Sequence, residues 1–177
     1  MTKRIIPIIA LVLIGLVAIA TVVLALVPKN HAPNIGSPAR ISISSMNDQV
    51  FDANDDADIY NKIINAYNKS FTESSLNALF QGRLCNGAEA KYQQDSLTYL
   101  SSLSKYLRFD FNTDKTVKVQ TKDISYRSVV VELEDNEGMY DVKLYLLAHG
   151  STSTNYYIST IADLGNLVSV IDEVENA

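Results

Sequence analysis

From Val117 to Ala162 apolar and polar residues alternate with a period of two, and that period fixes most of what the chain can become. Val117 and Val119 alternate with Lys118 and Gln120, and Ile124 and Tyr126 continue on the opposite parity. The slip near Lys122 and Asp123 marks a β-bulge or a short turn. Val129, Val131 and Leu133 then alternate with Val130, Glu132 and Glu134, and the Asp135–Gly138 stretch has turn composition. Tyr140, Val142, Leu144 and Leu146 follow on one parity, a polar loop runs from Gly150 to Asn155, and Tyr156 to Ala162 is one more strand. About four antiparallel strands are expected, with one face turned to a core.

The preceding residues carry helical spacing instead. A helix over about 56–68 gathers Ile59, Tyr60, Ile63, Ile64, Ala66 and Tyr67 on one face. A second, from near Thr72, buries Leu76, Leu79, Phe80 and Leu84 and stops at Asn86-Gly87. A third, over about 88–107, places Tyr92, Tyr99, Leu100, Leu103, Tyr106 and Leu107 on one side. A last amphipathic helix holds Leu164, Leu167, Val168, Ile171 and Val174. Helices followed by a run of antiparallel strands make an α+β domain, with three helices packed on a curved sheet of about four strands and a C-terminal helix.

Ahead of this domain, Ile5 to Val27 is a run of 23 residues without a charge. As a helix it would span roughly 34 Å, enough for a hydrocarbon core of about 30 Å. Lys3 and Arg4 precede it, so the positive-inside rule places the N-terminus in the cytoplasm and the remainder outside. We read the run as a retained single-pass transmembrane anchor rather than a cleaved signal peptide. It exceeds the usual h-region, and no A-x-A site precedes Pro28. Absence of a Cys at its end excludes a lipoprotein anchor. The expected organisation is a cytoplasmic tip and anchor over 1–27, a flexible linker over 28–54 and an extracytoplasmic domain over 55–177. Pro28, Pro33, Pro38 and Gly36 give the linker its composition, although Ile41, Ile43, Val50 and Phe51 could form a short strand.

The acidic stretch from Asp52 to Asp58 does not match a calcium loop. Aligned on Asp52, the sixth and twelfth positions hold Ala57 and Ile63 where Gly and Glu are needed. Helix capping by Asn54 or Asp55 accounts for it.

The end of the domain carries a resemblance. Tyr140-Asp141-Val142-Lys143-Leu144-Tyr145-Leu146-Leu147, a Gly-containing turn, then Tyr156-Tyr157-Ile158-Ser159-Thr160-Ile161 is similar to the closing hairpin of the nuclear-transport-factor-two-like (cystatin-like cone) superfamily. There the final strand often reads as an aromatic followed by Ile-Ser-x-Ile. With an N-terminal anchor, the layout resembles the scaffold proteins of type IV secretion and Gram-positive conjugation. Over residues 55–162 the resemblance implies a cone. The superfamily includes enzymes, binders and scaffolds, so it does not decide the function.

Residue chemistry narrows the choice. Without Lys3 and Arg4, 13 basic residues face 20 acidic ones, a net charge of −7 over 28–177. No clustered basic surface is available for nucleic acid. One Cys and two His give neither an internal disulfide framework nor a Cys/His zinc site. His149 has no nucleophile elbow to serve, Cys85 reads as a small helix thiol, and Glu132 with Glu134 reads as a solvated strand face. No catalytic residue, cofactor or metal is therefore expected. Tyr92, Tyr99 and Tyr106 at seven-residue spacing, with Tyr156 and Tyr157 of the last strand, are the candidate partner or pocket face. The alternative for them is an ordinary core edge with hydroxyls towards water. The expected function is a membrane-anchored, non-enzymatic scaffold that meets the bilayer through residues 5–27 and docks other envelope proteins, with a second copy among the partners open to it. The alternative is a ligand-binding or enzymatic cone with a Tyr-lined pocket.

Overall fold

The computed structural model describes residues 12–17, 35–44, 48–72, 91–119, 122–133 and 139–176. Its strands are β1 (Arg40–Ser44), β2 (Gln49–Phe51), β3 (Lys91–Tyr99), β4 (Tyr106–Val119), β5 (Lys122–Glu132), β6 (Met139–Leu147) and β7 (Ser153–Asp163). Among the described residues the helices α1 (Ala57–Thr72) and α2 (Gly165–Glu175), a 3₁₀ turn at Leu100–Ser102 and a helical stretch over 12–17 accompany them. All seven strands join one antiparallel sheet in the order β2-β1-β4-β5-β6-β7-β3.

The class is α+β as expected, but the element count is not. About four strands were expected and the described residues form seven. The expected third helix over 88–107 is β3, the 3₁₀ turn and the start of β4. Leu107, Phe109 and Phe111 alternate with Arg108 and Asp110 and enter the core, which is strand spacing. The expected second helix lies outside the described residues, except for its first residue, Thr72, which ends α1. The expected linker over 28–54 is corrected too, since its second half forms β1 and β2. Ile41 pairs with Phe51 on one side and Phe109 on the other, and both Ile41 and Ile43 are fully buried.

The expected transmembrane helix over 5–27 lies outside the described residues except for 12–17, which are helical. Among the described residues, no helix is long and apolar enough to cross a membrane. Val12, Leu13, Ile14, Leu16 and Val17 are each 56–69% exposed.

The main core lies between one sheet face and the two helices. Tyr60, Ile63, Ala66, Tyr67 and Phe71 of α1 meet Leu107, Phe109, Val129, Val131, Leu144 and Ile158 of the sheet. Leu167, Ile171 and Val174 of α2 close the same cluster. Tyr67 stacks edge-on to Phe109 with ring centroids 5.1 Å apart. Tyr60 donates a 2.6 Å hydrogen bond to the Pro38 carbonyl and so ties α1 to the approach to β1. Before α1, the Asp52 carboxylate accepts the backbone N–H groups of Asn54 and Asp55 at 2.7 and 3.0 Å. These bonds close a turn ahead of the first helical residue, Ala57, so neither Asp52 nor the expected Asn54 or Asp55 is shown capping the helix, and the two donors hold the Asp52 carboxyl below the usual range.

Burial pushes the Tyr67 hydroxyl far above its ordinary pKa, with the charge of Tyr126 adding to the rise, and burial raises Tyr126 too. A raised folded-state pKa means stability that is complete below the unfolded value and lost as pH climbs beyond it. The domain should therefore weaken steadily above about pH 10, where unfolded tyrosine ionises. Urea titrations at stepped alkaline pH check this, and Tyr67→Phe should flatten the decline. An equally steep decline in that variant would remove Tyr67 as its source.

Candidate functional site

Strand alternation that sends Ile41, Phe109, Val129, Leu144 and Ile158 into the core sends their neighbours to the opposite face. The ladders align these neighbours across the sheet. Ser42 pairs with Arg108, Arg108 with Val130, Val130 with Tyr145 and Tyr145 with Tyr157. In the next row Arg40 pairs with Asp110, Asp110 with Ser128 and Ser128 with Leu147. This second face is polar at the β1 side and aromatic towards β7.

On the aromatic half, Leu100, Val130, Tyr145 and Leu147 form a small buried cluster, with Leu103, Tyr106 and Tyr157 packed against it. The 3₁₀ turn brings Leu100 onto the face, and the Leu100 N–H donates to the Thr152 carbonyl at 3.0 Å. Tyr145 and Tyr157 have ring centroids 6.0 Å apart. The Tyr145 hydroxyl donates to Glu132 at 3.2 Å, and the Lys143 ammonium stands 5.5 Å from the Tyr157 ring centre. An aromatic face below a cation of this kind contributes modestly where water is present.

The polar half is a closed triangle. Arg108 Nε donates to Asp110 Oδ1 at 2.7 Å and Arg108 Nη2 to Ser128 Oγ at 3.1 Å. Ser128, a residue only 1% exposed, donates through Oγ to the same Asp110 oxygen at 2.5 Å. Arg40 Nε lies 3.8 Å from the other Asp110 oxygen. Along β1, between this triangle and β2, runs a groove of about 320 Å³ lined by Arg40, Ser42, Ser44, Asp48, Val50, Tyr106, Arg108 and Asp110, among others. Its origin is in the sequence Arg40-Ile41-Ser42-Ile43-Ser44. The isoleucines go inward, and two short serines are left outward between strands bearing longer side chains.

The five expected tyrosines do not form one stripe. Tyr106 and Tyr157 meet on the second-face cluster, whereas Tyr99 is half-exposed beside the 3₁₀ turn and Tyr156 lies on the other parity of β7. Tyr92 pairs with Ile158 in the ladder. Sequence reading missed Tyr145, Arg108, Asp110 and Ser128. The signal for Tyr145 was present, since Val130, Tyr145 and Leu147 are apolar on the parity opposite to the core, which marks a second covered face.

His149 is exposed in the β6–β7 turn before Gly150, whose positive φ of 69° suits glycine. Cys85 and Glu134 lie outside the described residues, and Glu132 is engaged by Tyr145. Among the described residues no group of His, Cys, Asp and Glu is placed to hold a metal ion. Compared with protein-family models, curated proteins and solved structures, the chain has no match in any of the three.

Proposed function

We propose that the chain is a non-enzymatic interaction domain of a cell-envelope assembly, attached to the lipid bilayer through residues 5–27 and exposing its folded domain outside the cytoplasm. The observation that carries this reading is the exposure of Val12, Leu13, Ile14, Leu16 and Val17, five large apolar side chains that the folded domain leaves uncovered. Contiguous apolar surface of that kind marks a membrane or protein contact. The basic pair Lys3 and Arg4 on one side of the uncharged run supports the orientation. On this reading the domain serves as the cone-shaped scaffolds of secretion and conjugation do.

The packing speaks for a scaffold rather than a Tyr-lined catalytic cone. Among the described residues the interior between sheet and helices is one apolar cluster in which Tyr60, Tyr67 and Tyr126 are buried, and Tyr106 and Tyr157 pack on the outer face. Flotation on liposomes tests the attachment. The full chain should float with the vesicles, and a variant lacking residues 5–27 should stay in the soluble fraction. Protease added to intact spheroplasts should remove an epitope placed after Ala177 and spare one before Met1. Equal flotation of both proteins, or protection of the C-terminal epitope, would reject the reading.

A further inference from the structure

The groove along β1 is a built feature that membrane attachment does not use. We propose that it binds a neutral, polyhydroxyl ligand, a saccharide.

Its floor is the hydroxyl side of β1, and its walls are β2 on one side and Tyr106, Arg108 and Asp110 on the other. The charged groups cancel, with Arg40 and Arg108 against Asp48 and Asp110. Arg108 and Asp110 are locked to one another and to Ser128. Ser44 donates to one oxygen of Asp48 at 2.9 Å, and the other accepts no hydrogen bond among the described residues. The Arg40 side chain is 59% exposed, makes one contact at 3.8 Å and donates no hydrogen bond among the described residues. The groove therefore offers a guanidinium fork, serine hydroxyls and carboxylate oxygens within one small space. Neighbouring hydroxyls of a sugar ring, each both donor and acceptor, match forks and carboxylates of this kind.

Competing ligand classes fit less well. A cation meets Arg40 and Arg108, and an anion meets Asp48 and Asp110 inside a domain of net negative charge. An extended peptide joins a sheet by its backbone, but β1 is already paired on both sides, with β2 and β4. Only side chains remain to recognise what enters the groove. At about 320 Å³ it is near the lower end of the range for small-molecule sites. The Tyr106 ring, held by its packing on the second-face cluster, supplies an apolar wall for a sugar's C–H face.

The test uses the full ¹⁵N-labelled chain in detergent micelles, titrated with N-acetylglucosamine, its β-1,4-linked tetramer and cellotetraose. Shifts confined to the amides of Ser42, Ser44, Val50 and Arg108 are expected with at least one of them. A tetramer that binds tighter than the monomer identifies a polymeric glycan, and equal affinity identifies a free sugar. Ser42→Leu, which fills the floor on the outward side, should weaken binding by about tenfold or more, about 1.4 kcal/mol. Arg40→Gln, at an exposed position, should weaken it as well with an unchanged melting temperature. Saturable binding that both variants retain would overturn the proposal. So would titrations in which no saccharide moves these amides, or in which an acidic or basic hexapeptide moves them instead.

Discussion

Phe109→Ala should lower the unfolding free energy by about 3–5 kcal/mol, the range for deleting a buried phenyl ring. The position joins every layer of the main core. Phe109 is fully buried on β4, pairs with Ile41 on one side and Val129 on the other, and its ring meets Tyr67 of α1. Removing the ring leaves a cavity that two ladders and a helix hold open, because none of them can collapse without breaking pairs elsewhere. Urea denaturation followed by far-UV circular dichroism measures the loss. A change below about 1 kcal/mol would mean that Phe109 does not hold α1 to the sheet.

Ending the chain at Asp163 should abolish cooperative unfolding altogether. The truncation strips Leu167 and Ile171, both fully buried, and the nearly buried Leu164 and Val174 from the core. Each buried aliphatic side chain contributes about 1.5–3 kcal/mol, so four reach the whole stability of a typical domain, about 5–15 kcal/mol. The ion pairs lost with them matter less. Lys62–Glu173 and Lys105–Asp172 involve exposed partners, and such pairs are worth little. The Lys105–Glu175 contact at 2.6 Å is better sheltered and fastens the end of α2 beside the start of β4. The truncated protein should keep its strand signal, bind a hydrophobic dye and melt without a sharp transition. A sharp transition at the original temperature would show α2 to be an accessory to the fold.

The strands from Val129 onward and the last helix were legible because their apolar positions repeat without interruption. β3 was not. Lys91-Tyr92-Gln93-Gln94-Asp95-Ser96-Leu97-Thr98-Tyr99 has little alternation to read, as suits an edge strand, and its ladder is broken between Gln94 and Thr98. The 3₁₀ turn then supplies Leu100 and the bend to Leu103, which completes a false helical spacing from Tyr92 to Leu107. β1 was obscured for another reason. Ile41 and Ile43 alternate cleanly, but Pro33, Gly36 and Pro38 before them have the composition of a linker. The polar triangle was illegible in principle. Arg108 and Asp110 are near in sequence, whereas Ser128 reaches them only through the β4–β5 register.

The strand order has a consequence for how the protein is made. β4 to β7 are successive neighbours, so each can pair with the strand synthesised just before it. β1 and β2 are translated first but belong beyond β4, at the far edge of the sheet. Until Tyr106–Asp110 is also free to fold, Ile41 and Ile43 lack their β4 neighbours, Phe109 and Leu107. Nascent apolar segments that wait in this way draw in chaperones or aggregate. Slowing translation between Phe51 and Tyr106 lengthens the wait, so the yield of folded protein should be sensitive to codon choice there and insensitive to it after Val119.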